Sequence, residues 1–268
     1  NTDRYSSAAI CIERYGRYAL DLLHTRRIDT AGDNIDVTLE PLSPAVIYFT
    51  DSPLPQKPLN RSAGILCHVT SVPTASDFPV FGHDMLKFID FLAASGQKLW
   101  QILPLSPPNA FGSPYTSCSA FAGNTALIDS SMPVSDSGYE RFCNENRYWL
   151  DDFALYTILH NRFNRPWQEW PREYRDKTDL GDIKREFSDD IERVKHEQYR
   201  FFSQWSAVKR YANEHGIEII GDIPLFVSAD SADVWAHREF FMLDDSGYPL
   251  LTAGAPPDGF SADGQNWN

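Results

Sequence analysis

Gly64-Ile65-Leu66-Cys67-His68-Val69 is a short apolar run, and Lys98-Leu99-Trp100-Gln101-Ile102-Leu103 is a second one. Both have the length and the apolar content of a buried strand. Residues 84–95, between them, place apolar side chains on one face of a predicted helix, and Gly96 ends that helix. The order strand, helix, strand predicts two parallel strands joined by a right-handed crossover.

The same pattern continues towards the end of the chain. Residues 151–163 and 188–215 are predicted helices, and the second carries an apolar stripe at spacings of three and four that only Gln198 interrupts. Gly216 ends this helix, and residues 217–222 form a third predicted strand. Three strands alternating with helices predict an α/β fold with a parallel sheet.

The first sixty residues have a different pattern. Residues 1–50 alternate short apolar runs with turn residues, which is typical of a small β-rich module. Residues 51–60 contain three prolines, which cannot lie in a central strand or inside a helix, so this stretch is a predicted linker. Residues 61–268 then form the main domain.

Net charge and cysteine content limit the partners. The 268 residues carry a formal net charge of −13, which repels phosphate backbones and anionic lipid, so we expect no nucleic-acid partner and no membrane partner. The four cysteines contain no C-x-x-C pair and the histidines show no metal spacing, so no metal site is predicted. Scattered cysteines in a chain of this length favour reduced thiols and a cytoplasmic location.

Polar side chains follow the predicted strands, which is where parallel α/β barrels place their working residues. Ser113 and Tyr115 lie in the loop after the second strand, and hydroxyls with an aromatic ring suit a sugar. Composition alone favours an ordinary surface loop. Asp222 follows the third strand, and we interpret it as functional. His68 follows the first strand, where a ligand contact and a packed histidine are both open.

Two further segments have open interpretations. Asp233 is either functional or part of a helix start, whereas Asp230 and Ser231 have the pattern of helix caps. Residues 253–261 contain two prolines and two glycines, which indicate a stiff loop that carries Phe260. That loop either holds a sugar chain or is a structured surface loop.

Seven segments together resemble glycoside hydrolase family 77, the amylomaltases and disproportionating enzymes. They occur in the family's order and are residues 61–68, 100–105, 112–124, 151–156, 221–224, 230–235 and 256–265. The resemblance implies a (β/α)8 TIM barrel with inserted subdomains, of which about the first three strands are present. It also implies transfer of α-1,4-glucan segments between maltodextrins with retention and without a cofactor.

The resemblance assigns substrate-binding roles to individual residues. The implied set is His68, Ser113, Tyr115, Asp222, Asp258, Phe260, Gln265 and Trp267. Residues 254–260 would form a lid beside the acceptor, although Gly259 stands where many relatives carry an aromatic residue. Residues 1–50 resemble either the end of an amylase-type C-terminal module or a family-specific N-terminal extension.

The resemblance implies no catalytic residue within this chain. Retaining chemistry needs two carboxyl groups about 5 Å apart, and the family supplies them from later motifs of the type R-I-D-H and E-D-L-G, neither of which occurs in this sequence. We therefore expect the catalytic pair beyond Asn268 and no turnover by these residues alone. A hydrolase of the α-amylase group and a non-catalytic glucan-binding fragment are the alternative functions.

Overall fold

Two units make up the chain, Asn1–Arg61 and Ser62–Asn268. The structure is a computed structural model that describes residues 7–13, 17–21, 26–28, 34–39, 45–51, 61–74, 77–109, 112–178 and 180–266. Most of the predicted proline-rich linker, residues 52–60, lies outside the described residues.

The described part of the first unit is made of antiparallel strands. They are β1 (Ala8–Glu13), β2 (Tyr18–Asp21), β3 (Arg26–Ile28), β4 (Asn34–Leu39) and β5 (Ile47–Thr50). Strand β1 pairs with β4, and β2 lies between β3 and β5. Along β4 every second residue is buried, so Ile35, Val37 and Leu39 form a small core with Ala19 of β2.

A parallel sheet of three strands lies in the second unit, as the sequence predicts. Its strands β6 (Gly64–Leu66), β7 (Leu99–Gln101) and β8 (Glu218–Ile220) stand in the order β6-β7-β8. Each strand is shorter than predicted. After β6 the chain turns at once, because Ser71 N donates to the carbonyl of His68 (2.8 Å).

Seven α-helices occur in the described part of the second unit, together with five short 3-10 helices. The α-helices are α1 (His83–Ala94), α2 (Tyr139–Glu145), α3 (Arg147–Phe163), α4 (Arg172–Arg175), α5 (Gly181–Glu186), α6 (Ser188–Glu214) and α7 (Ala232–Ala236). Helix α3 begins at Arg147, ahead of the predicted start at residue 151, because Trp149 and Leu150 already face the core. Helices α2, α4 and α5 are too short to show a helical apolar repeat, and the sequence interpretation missed them. Helix α7 begins at the helix start that the cap pattern of Ser231 indicated.

Helix α6 joins two apolar clusters. The first surrounds the sheet, where Trp100 of β7 packs with residues from α1 and with Phe201 and Val208 of α6. The second lies among the helices, where Val194 of α6 belongs to one cluster with four tryptophans: Trp149 of α3, Trp167 and Trp170 between α3 and α4, and Trp235 of α7. The order of elements therefore gives a partial α/β fold with a helical insert between β7 and β8. None of the described helices has the length and apolar character needed to cross a bilayer.

Candidate functional site

Two candidate residues from distant parts of the sequence meet at the carboxyl ends of β7 and β8. Tyr115 Oη donates a hydrogen bond to Asp222 Oδ2 at 2.6 Å, across 107 positions of sequence. The other carboxylate oxygen of Asp222 accepts from Ile223 N at 2.8 Å, which orients the carboxylate. The hydrogen bond to the carboxylate raises the pKa of Tyr115. Both side chains are exposed, Tyr115 to 42%, so the pair presents a phenol ring and a carboxylate to solvent.

Ser113 shapes the turn that leads to Tyr115. Ser113 and Asn109 exchange two hydrogen bonds, from Ser113 N to Asn109 Oδ1 and from Asn109 N to Ser113 O, each 3.0 Å. Ser113 Oγ accepts from Tyr115 N at 3.3 Å. Gly112 has φ of +78°, in the left-handed region that favours glycine. The Ser113 hydroxyl thus supports the backbone of the loop and is only half-exposed.

A buried glutamine fixes the far end of this loop, residues 112–124. Gln198 of α6 is 1% exposed, accepts from Gly123 N at 2.8 Å and donates to Gly123 O at 3.1 Å. A Cβ at position 123 would come within 2.1 Å of the Phe201 ring, so the backbone and α6 are in close contact. Gln198, the one polar residue in the predicted apolar stripe of α6, therefore anchors this loop.

The same loop is also tied to the segment that follows Asp222. Ser228 N donates to the carbonyl of Ser117 (3.0 Å), and Ala232 N donates to the carbonyl of Cys118 (2.9 Å). Ala120 N donates to Asp233 Oδ2 at 3.0 Å. Burial raises the pKa of the Asp233 carboxyl. These links hold the two site-bearing segments against each other.

Asp230 is not the helix cap that the sequence interpretation expected. Its Oδ1 accepts from Tyr156 Oη (2.7 Å) and Trp167 N (3.1 Å), and its Oδ2 lies 2.9 Å from His160 Nε2. Burial opposes ionisation of Asp230, but these bonds outweigh it and lower its pKa, while the bond to Asp230 raises the pKa of His160. Ser231 is the cap, since its Oγ accepts from Val234 N at 3.2 Å. Asp230 instead fastens the segment to α3.

His68 connects the ends of the first two strands of the sheet. Its Nδ1 accepts from Leu103 N at 3.2 Å, so its proton lies on Nε2 in the neutral form. Burial lowers the pKa of this imidazole. These contacts fit a packed histidine, and a ligand contact by the half-buried ring stays a prediction.

Three of the remaining candidates, Asp258, Phe260 and Gln265, lie on a hairpin formed by β9 (Gly254–Ala255) and β10 (Gln265–Asn266). Asp258 Oδ1 accepts from Phe260 N and Ser261 N, each at 2.8 Å, and these bonds lower its pKa. Asp258 therefore builds the turn, and Phe260 at its tip is fully exposed. Gln265 is exposed in β10, and Trp267 lies outside the described residues.

Two of the cavities in the described part of the chain border the loops. Asp222 lies in the wall of the smaller one, about 310 Å³, together with residues that follow β7 and residues of α6. The larger one, about 760 Å³, has mostly apolar walls that include Phe226, Phe240 and Leu243. Hydroxyl-rich ligands need polar partners, and both walls contain carboxylates, Asp222 in the smaller cavity and Asp152 and Asp233 in the larger one. Of the two, only the smaller cavity includes a member of the Tyr115–Asp222 pair. Among the described residues, no three His, Cys, Asp or Glu side chains converge as metal ligands.

The fold and these contacts define a parallel α/β protein whose polar loops meet beyond the carboxyl ends of its strands. The family model described as 4-alpha-glucanotransferase, glycoside hydrolase family 77, matches residues 67–138 and 130–268. The chain belongs to this family.

Similar curated proteins carry the same description. A 4-alpha-glucanotransferase of Aquifex aeolicus is 37% identical, over 77% of this chain and 52% of its own length. One of Thermus thermophilus is 35% identical over 78% of this chain and 51% of its own. The Arabidopsis thaliana protein is a chloroplastic/amyloplastic 4-alpha-glucanotransferase, 31% identical over 80% of this chain and 46% of its own. The chain therefore spans about half the length of these relatives.

Solved structures agree with the family. An amylomaltase from Streptococcus agalactiae in complex with acarbose matches with a TM-score of 0.71 and 35% identity, over 78% of this chain and 52% of its own. An amylomaltase from Corynebacterium glutamicum shares the fold at 14% identity, with a TM-score of 0.57 over 98% of this chain and 47% of its own.

Proposed function

We propose that this chain supplies part of the glucan-binding groove of a 4-α-glucanotransferase, which transfers α-1,4-glucan segments between maltodextrins with retention. The observation that carries the proposal is the exposed Tyr115–Asp222 pair at the carboxyl ends of two parallel strands. The family match and the acarbose complex of the related amylomaltase support a carbohydrate ligand. In the full barrel of about eight strands, β6, β7 and β8 would be the first three.

The chemistry of the pair fits a pyranose. The free lone pairs of the Asp222 carboxylate accept from sugar hydroxyls, and the Tyr115 ring packs on the C–H face of the ring. The exposed Phe260, on its stiff hairpin, is a second aromatic surface for a glucan chain. Ser113, Asp258 and His68 support the site through backbone contacts.

We infer that the nucleophile and the acid/base are not among these residues. Asp222 is held by Tyr115 and Ile223 N, as a binding carboxylate would be. Retaining transfer needs a second carboxyl group about 5 Å away. The absence of the R-I-D-H and E-D-L-G motifs from the sequence supports a catalytic pair elsewhere in the complete protein.

Calorimetry with maltoheptaose tests the binding site. We expect weak binding by the chain, and a dissociation constant raised about tenfold, the equivalent of one good hydrogen bond, in Asp222→Ala and Tyr115→Ala. Tyr211→Phe is the matched control, because Tyr211 Oη donates to Asp90 at 2.8 Å in a similar exposed pair outside the site. Equal affinity in all variants would refute the assignment.

Incubation with maltotriose tests the missing chemistry. We expect neither glucose nor longer maltodextrins from these 268 residues alone. Formation of both products would overturn the inference about the catalytic pair, and glucose without longer products would favour the hydrolase alternative. For the complete protein, disproportionation of maltotriose separates a transferase from a hydrolase.

For the β-rich unit we propose a family-specific N-terminal extension. The fold likeness to the Corynebacterium glutamicum amylomaltase extends over 98% of the chain, which supports this alternative over an amylase-type module. Cytoplasmic location and the lack of nucleic-acid and membrane partners stay predictions from charge and cysteine content.

A further inference from the structure

Tyr115 and Asp222 reach each other from two different segments, so their contact depends on what holds those segments in place. Residues 112–124 and 221–233 are joined by two backbone hydrogen bonds, from Ser228 N to Ser117 O and from Ala232 N to Cys118 O. Besides the Tyr115–Asp222 bond itself, the Asp233 carboxylate joins the two segments, since it accepts from Ala120 N at 3.0 Å and from the Ser119 hydroxyl.

Asp233 lies on a helix whose own position is fixed by capping and by burial. It lies in the first turn of α7, whose start is capped by Ser231 and whose Val234 and Trp235 are buried in the helical core. Its neighbour Asp230 fastens the same segment to α3 through Tyr156 and His160. The Asp233 carboxylate thus extends from a rigid element to the loop that carries Tyr115.

We propose that Asp233 is a positioning residue that sets the distance between Tyr115 and Asp222 by holding Ala120 N. Its role in glucan binding rests on the proposed function above, whereas its role in the Tyr115–Asp222 contact does not. Ala120 is exposed, so water can replace Asp233 as the partner of its N–H group. Loss of the carboxylate therefore releases the loop at Ala120, and it also removes a partner of the buried Ser119 hydroxyl.

Two substitutions separate positioning from folding. Asp233→Ala removes the acceptor, whereas Asp233→Asn keeps an oxygen that can accept from Ala120 N. Gln204→Ala is the matched control for general damage, because Gln204 also holds a loop, through Asp129 N (2.9 Å) and Asp129 O (2.8 Å), away from the site.

The first readout uses no sugar. Chemical shifts of 13C-labelled tyrosine rings give the pKa of each phenol, and Tyr115→Phe identifies the Tyr115 signal. Asp222 raises the pKa of Tyr115, and Asp90 raises that of Tyr211, which serves as an internal control. We expect Asp233→Ala to return the Tyr115 pKa towards its ordinary value of 10.0 and to leave Tyr211 unchanged. Asp233→Asn and Gln204→Ala should leave both pKa values in place.

The second readout is maltoheptaose affinity. We expect Asp233→Ala to raise the dissociation constant about tenfold, and Asp233→Asn and Gln204→Ala to stay within about twofold. A Tyr115 pKa that is identical in wild type and Asp233→Ala overturns the positioning role. Absence of maltoheptaose binding by the wild type, together with a Tyr115 pKa that follows Asp233, refutes the glucan site and leaves the positioning role standing.

Discussion

Replacing Gln198 by methionine removes the anchor of the Tyr115 loop while conserving side-chain volume. Gln198 is buried on α6, and its amide satisfies both Gly123 N and Gly123 O at 2.8 and 3.1 Å. Gly123 is itself buried, so water cannot easily replace the amide. Gln198→Met therefore leaves two backbone groups without partners.

The magnitude follows from those two groups. Each buried polar group left unpaired costs about 1–3 kcal/mol, and the better burial of a thioether offsets about 1 kcal/mol. For two such groups, the net loss of unfolding free energy should be about 1–5 kcal/mol. Glu197→Met is the matched control on the same helix, because Glu197 is exposed and the two residues have similar helix propensities.

Urea unfolding followed by tryptophan fluorescence measures this loss. All seven tryptophans lie in the unit Ser62–Asn268, so the signal reports that unit alone. The urea midpoint should fall in Gln198→Met with the slope unchanged. In Glu197→Met the free energy of unfolding should stay within about 0.5 kcal/mol of wild type. A loss below about 0.5 kcal/mol in Gln198→Met, or an equal loss in both variants, would refute the anchor.

Three other outcomes are expected. The pKa of His160 is raised above its ordinary 6.5, so its contact with Asp230 stabilises the fold below pH 6.5, and this stabilisation is lost as the pH rises through the folded pKa. In urea unfolding at a series of pH values, His160→Gln should show a smaller fall of the midpoint over that rise in pH. The pKa of Asp230 is lowered from 3.8, so its contribution to the free energy of unfolding is present above pH 3.8 and is lost as the pH falls through the folded pKa. In Asp230→Asn the unfolding midpoint should no longer fall over this acidic range. Gly123→Ala places a methyl group against the Phe201 ring and should cost about 2–3 kcal/mol in the same assay, whereas Gly259→Ala, where a methyl group meets open space, should cost under about 0.5 kcal/mol.

The sequence predicts the sheet well because apolar runs and glycine stops are local signals. Gly96 and Gly216 both adopt φ near +74°, as residues that end helices commonly do, and the three strands are parallel as expected. Strand ends were harder to predict, because the apolar pattern continues through His68 and Val69 while the backbone turns. A local sequence pattern does not show which donor a backbone carbonyl will accept a hydrogen bond from.

The candidate site was predictable in part for a similar reason. The rule that parallel strands place polar residues at their carboxyl ends led to Tyr115 and Asp222, although 107 positions separate them. Asp230 was misread because the cap pattern depends only on neighbours in sequence, whereas its actual partners lie on α3. The glutamine in an apolar stripe was visible in the sequence, but its partner Gly123 required the tertiary structure.

Helix α6 runs from Ser188 to Glu214 and belongs to both apolar clusters of its unit. Its first turns pack in the apolar cluster of the helical insert, and its last turns pack in the apolar cluster around the sheet. Opening either part therefore exposes apolar side chains of the same helix. Amide protons of the two clusters should consequently exchange with deuterium at a common slow rate. A shift of the helical insert would tilt α6 and would thereby move the residues that pack against the sheet.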